Sequence, residues 1–142
     1  KMNREKLLEL YKKYDLTKDD VFKHQHFVII TRSGIEKIIA KEHMTLTYDV
    51  IKCEPNFAVV KAYAYISSMP NTTIETFGSA LKGSSFKDSN CNTWYVMEMA
   101  EKRAMSRACL KLTGFYKLGV FGEDESEDFK KVNKEKLINL NK

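Results

Sequence analysis

The stretch Trp94-Tyr95-Val96-Met97-Glu98-Met99-Ala100-Glu101-Lys102-Arg103-Ala104-Met105-Ser106-Arg107-Ala108-Cys109-Leu110-Lys111-Leu112-Thr113-Gly114 decides the fold. Projected at about 100° per residue, Met97, Ala100, Ala104, Ala108 and Leu112 share one side, which predicts a helix from about Trp94 to Thr113. Thr93 or Asn92 is its expected cap and Gly114 its expected end. Alanines at i, i+4 and i+8 would let this backbone approach a sheet closely, so the stripe is expected in the core. Arg103, Arg107 and Lys111 form a second row at the same spacing, and no acid lies three or four residues from either arginine. Like charges in such a row cost about 0.2–0.5 kcal/mol each, which favours an anion from outside the helix. The alternative is that the aliphatic stems cover Val96 and Leu110 while the guanidinium groups meet carboxylates from elsewhere in the fold. Glu101 projects between Ala108 and Leu112. It is expected to be a buried structural acid in need of a cationic partner, either an arginine or lysine from the sheet or Arg32.

Upstream of this helix the pattern changes from helical to alternating. Leu7, Leu8, Leu10, Tyr11 and Tyr14 follow Asn3 at helical spacing, and Phe27 to Ile30 reads as a buried strand. Ser33-Gly34-Ile35-Glu36 has the form of a capping box, which predicts a helix running to about His43 with Ile35, Ile38 and Ile39 inward. Met44 to Cys53 alternates and ends at the turn signal Glu54-Pro55-Asn56. Phe57 to Ser67 and Thr72 to Leu81 then complete an antiparallel meander, and Gly83 to Asn92 is a polar loop. The expected fold is therefore α+β: an antiparallel three- to four-stranded sheet backed by a long C-terminal helix, a β-β-β-α core with preceding helices.

The chain has 142 residues, the length of one domain. The expected divisions are an N-terminal helical segment over 1–22, a core over 23–122, and an acidic then lysine-rich tail over 123–142. Hydrophobic residues are 43% and charged residues 30%, which excludes the disordered and collagen-like classes. Apolar runs such as Phe27 to Ile30 are far too short for a membrane span, so neither a membrane nor a secretory role is expected. Cys53, Cys91 and Cys109 include no C-x-x-C pair, so a reducing cytoplasmic compartment fits best. Lys plus Arg total 24 against 19 Asp plus Glu, and the excess comes in blocks. Residues 1–14 hold five cations and two carboxylates, whereas Glu123 to Asp128 holds five carboxylates in six residues.

The segment from Tyr95 to Gly114, with its A-E-K-R-A core, the following R-A, the closing glycine, an aromatic-glycine stretch and the acidic Gly122-Glu123-Asp124-Glu125, resembles a known signature. It is similar to that of phage recombination proteins of the single-strand annealing superfamily, which includes the ERF (essential recombination function) and Rad-fifty-two-like annealers. The resemblance covers roughly residues 26–128. It implies a β-β-β-α core, assembly into rings or filaments, and single-stranded DNA held in a basic groove in the host cytoplasm. Arg103, Arg107, Lys111 and the adjacent Lys102 would be the backbone contacts. It also implies no cofactor, and leaves the acidic segment free to recruit a replication or recombination protein.

Binding single strands needs aromatic faces as well as cations. Tyr48, Tyr63, Tyr65, Phe77 and Trp94 are candidates, although strand aromatics are more often core. A double-stranded RNA-binding module shares the α-β-β-β-α order, but such modules carry lysines at the start of the last helix, and here the first cation is Lys102. Phosphate-loop, zincin and nucleophile-elbow motifs are absent from the sequence. His24-x-His26, or Asp124 with Asp128, would be the donors for a metal-dependent nuclease. The expectation is a non-enzymatic, ATP-independent single-strand annealing protein, the alternative being a protein-binding accessory or inhibitory factor on the same scaffold.

Overall fold

A computed structural model describes residues 4–85, 88–91 and 93–125. The elements run α1 (Arg4–Lys13), β1 (Val21–His24), β2 (Phe27–Ile30), α2 (Arg32–Glu42), β3 (Thr45–Glu54), β4 (Phe57–Tyr65), β5 (Ile74–Leu81), α3 (Val96–Leu112) and β6 (Val120–Gly122), with single 3-10 turns at Tyr116–Leu118 and Glu123–Glu125. The fold is α+β, as expected. Its larger sheet is the antiparallel meander β3-β4-β5, in which Tyr48 lies opposite Ala62 and Val60 opposite Gly78.

α3 packs on one face of that sheet because both surfaces are built from small side chains. Ala58, Val60, Ala62 and Ala80 of the sheet meet Val96, Ala100 and Ala104 of the helix in one buried cluster. Gly78 makes the approach possible, since a Cβ there would stand 2.5 Å from the Ala104 amide nitrogen. Thr76 then donates its hydroxyl to the Ala104 carbonyl at 2.7 Å across the same contact. Gly114 ends the helix in the left-handed region, with φ 87°. At the other end Tyr95 caps without a side-chain bond, and Thr93 Oγ1 accepts from the Tyr95 amide instead.

A second, smaller sheet was not expected. β1 and β2 form a hairpin through Gln25, which has φ 58°, and β6 adds parallel to β2 with Val28 beside Val120. Three residues of the aromatic-glycine stretch supply β6, too few for a period to be read from the sequence. The second core gathers Leu7 of α1, Tyr14 just after it, Val28 and Ile30 of β2, Ile35 and Ile38 of α2, and Cys109 and Leu110 from the far side of α3. α3 is thus buried on two sides.

The capping box is corrected. Thr31 is the cap of α2, its Oγ1 accepting from the Gly34 amide at 3.3 Å. Ser33 instead donates to the buried Asp20 carboxylate at 2.7 Å. Asp20 also holds Lys37 Nζ at 2.6 Å and the Thr17 amide at 2.9 Å, and so ties the α1–β1 connection to α2. The Lys37 ammonium, with the Thr17 and Ser33 bonds, keeps the Asp20 carboxyl far below the usual carboxylate range, although burial pulls the other way.

Candidate nucleic-acid interface

The basic row of α3 does not face solvent as a row. Arg103 is 2% exposed. Its Nε donates to the Asp124 carbonyl at 3.1 Å, Nη1 to the Ser79 carbonyl at 2.7 Å, and Nη2 to the Asn90 carbonyl. Arg103 is therefore a structural residue and cannot reach a phosphate in this fold. Arg107 gives Nε to Glu125 at 2.6 Å and Nη1 to the Phe77 carbonyl at 2.9 Å. Of the two alternatives for these arginines, pairing within the protein is the one formed. Its acceptors are chiefly main-chain carbonyls, joined by one carboxylate from the acidic segment. Lys102 is half-buried, and Lys111 is exposed with Nζ 5.1 Å from the centre of the Tyr116 ring.

Glu101 is corrected as well. It is exposed, because α3 lies over β4 and β5 and leaves the side toward β3 open. Burial, and secondarily the Glu101 charge, raise the Tyr48 hydroxyl above its ordinary range. Among the described residues the buried acids are Asp20 and Glu125.

The acidic segment is partly docked onto α3 and the start of α2. Besides Glu125 on Arg107, Ser106 donates to Asp124 Oδ2 at 2.8 Å and the Arg32 amide donates to Glu123 Oε1 at 3.1 Å. Residues 126–128 lie outside the described part, so the pairing of Asp124 with Asp128 does too. No group of three His, Cys, Asp or Glu side chains among the described residues is placed to hold a metal.

The face of the larger sheet away from α3 carries a different constellation. Alternation along β4 sends Ala58, Val60, Ala62 and Ala64 toward the helix, so Phe57, Val59, Lys61, Tyr63 and Tyr65 point the other way. On β5 the same side holds Glu75 and Phe77, and on β3 it holds Asp49. Lys61 is at the centre. Its Nζ is 2.6 Å from Glu75 Oε1, and 5.1 and 5.6 Å from the ring centres of Tyr63 and Phe77. The Glu75 carboxylate first, and Tyr63 second, raise the pKa of this ammonium. Tyr63 in turn donates its hydroxyl to Asp49 at 2.8 Å. Phe77 is 49% exposed, and neither buried core includes it, Tyr63 or Tyr65.

The aromatic candidates therefore divide. Tyr48 faces α3 and packs on its cluster, whereas Tyr63, Tyr65 and Phe77 share the open face. Trp94 is exposed before α3, with Lys82 Nζ 5.5 Å from its ring centre. The signal for the open face was the i, i+2 alternation of Lys61, Tyr63 and Tyr65 against alanines, legible once α3 is assigned to the alanine side. No family model, curated protein or solved structure matches the chain.

Proposed function

We propose that the protein binds single-stranded DNA on the open face of the β3-β4-β5 sheet and anneals complementary strands without ATP. The observation that carries this reading is the Lys61 ammonium flanked by the half-buried ring of Tyr63 and the exposed ring of Phe77, on a sheet face that belongs to neither core. Rings on adjacent strands give successive bases π-faces to stack on, worth about 1–3 kcal/mol per base, and a central cation can take the intervening phosphate. The resemblance of the α3 segment to annealing proteins points to the same activity, with the contact moved from the helix to the sheet.

The face also carries Asp49 and Glu75, so binding is led by stacking rather than by charge. Bases that stack on one side keep their pairing edges free for a second strand, whose base pairing supplies the free energy of annealing. One phosphate contact per chain, at Lys61, predicts a loss of affinity of about two- to threefold between roughly 50 and 200 mM salt.

The test is titration of a fluorescent oligothymidylate and of a matched duplex, followed by annealing of complementary oligonucleotides without nucleotide. Tighter binding of the single strand together with faster annealing supports the reading. Preference for the duplex, or no binding at all, overturns it and favours a duplex-binding module or a protein-binding factor respectively.

A further inference from the structure

The two edges of the larger sheet are treated differently. Along β5, Arg103 and Arg107 donate to the Ser79 and Phe77 carbonyls, and Asn90 Oδ1 accepts from the Leu81 amide at 2.6 Å. These side chains occupy the main-chain groups that another strand would need. β3 is ten residues long, β4 is its one strand neighbour, and among the described residues no hydrogen bond reaches its outer main-chain groups. A bare edge of that length invites pairing with another chain.

The sequence of β3 fits itself. A bulge between Val50 and Lys52 brings Asp49, opposite Lys61, and Lys52, opposite Val59, onto the same open face. Between them Val50 and Ile51 are 60% and 54% exposed. We propose that β3 pairs antiparallel with β3 of a second copy of this chain, about a two-fold axis passing between Val50 and Ile51. Val50 then faces Ile51 of the second copy, Asp49 faces Lys52, Tyr48 faces Cys53 and Thr47 faces Glu54. Tyr48 and Cys53 lie on the α3 side, opposite Ala62 and Ala58, while Thr47 and Glu54 lie on the open side, opposite Tyr63 and Phe57, so side chains match face for face. The two-fold axis forms the Asp49–Lys52 pair twice. Moving the axis onto Asp49 or onto Lys52 would set like charges opposite each other, which fixes the register.

The sealed β5 edge decides the kind of assembly. Head-to-tail addition of β3 to β5 would build an open fibre or ring, and the arginines block it. Pairing β3 with β3 uses the same patch twice and closes as a dimer. The result is a six-stranded sheet with both Tyr63–Lys61–Phe77 faces on one side. The pairing stands without the nucleic-acid reading, and only the use of a doubled surface rests on it.

The experiment is sedimentation equilibrium of the full chain without nucleic acid, from low to high micromolar, for wild type, Asp49→Lys, Ile51→Lys and the swap Asp49→Lys with Lys52→Asp. Thermal melts establish that each variant is folded. The wild type is expected to dimerise, and each single variant to weaken the dimer roughly tenfold or more. The swap is expected to recover most of that loss. A wild type that stays monomeric throughout overturns the proposal, as does a dimer indifferent to all the variants or a swap no better than Asp49→Lys alone. Nucleic-acid binding by a strictly monomeric protein would remove the dimer and leave the functional reading intact.

Discussion

Arg107 and Glu125 form a short ion pair, Nε to Oε1 at 2.6 Å, with the carboxylate side chain 8% exposed and the guanidinium side chain 36% exposed. A carboxylate from the acidic segment thus occupies the Arg107 guanidinium on α3. Replacing it separates a structural from a binding role for the row. Glu125→Gln leaves Arg107 partly solvated, so the expected cost is about 1 kcal/mol, the low end for a charged hydrogen bond after allowance for solvent. Single-strand affinity should hold within about twofold, because the open sheet face does not use Arg107. A marked rise, measured by oligonucleotide titration, would return the helix to the binding surface.

Arg103 predicts a purely structural defect. Arg103→Ala takes the guanidinium donor from three partly buried carbonyl groups, of Ser79, Asn90 and Asp124, and leaves Ser79 only a long bond from Asn90 Nδ2 at 3.5 Å. The expected loss is about 3 kcal/mol by urea denaturation, from unsatisfied carbonyls and the lost packing of the side chain. Arg103→Lys should recover little, since a point charge on a flexible stem cannot reproduce the planar fork that spans three acceptors. Wild-type stability in the lysine variant would contradict this account.

Gly78→Ala tests the contact between sheet and helix. The added Cβ would meet main-chain atoms of α3 at Ala100 and Ala104, which cannot rotate away. The expected cost is about 3 kcal/mol or more, the upper range for overpacking. A variant that melts like wild type would mean that α3 sits further from β5 than described.

Asp20 sets part of the acid limb of stability. Its folded pKa lies far below the unfolded value, so the stabilisation is fully present above the ordinary carboxylate range, near about pH 4. It is lost progressively as the pH falls below that value toward the folded pKa. Asp20→Asn should therefore be destabilised by about 2 kcal/mol at neutral pH, and the gap to wild type should narrow on acidification. Denaturant titrations at several pH values check it. A gap that widens as the pH falls would reverse the assigned sign.

The sequence made the meander and the long helix legible because both have clear periods over many residues. The i, i+4, i+8 alanines located the helix face, and the alternation of β4 separated Lys61, Tyr63 and Tyr65 from the alanines. The misreading of the basic row came from one omission. β6 is only three residues long, and without it and the turn at Glu123–Glu125 the far side of α3 looks solvent-facing. Arg103 and Arg107 then appear to be a free cationic row rather than donors to β5 and the acidic segment. Glu101 failed for the opposite reason, because projection assumes a sheet that covers the helix symmetrically, whereas α3 is offset from β3. Ser33 lost the capping role to Thr31 because the buried Asp20 carboxylate competes for its hydroxyl.

Stacking of a single strand on the rings around Lys61 is tested by fluorescence-anisotropy titration of an oligothymidylate against wild type and Tyr63→Ala/Phe77→Ala. Both rings lie outside the two cores, so the melts should differ little, by about 1 kcal/mol or less in cross-strand contacts. The expected result is an affinity loss of about tenfold or more at fixed salt with a nearly unchanged salt slope, because stacking is removed while Lys61 remains. A folded double variant that binds as tightly as wild type would contradict it.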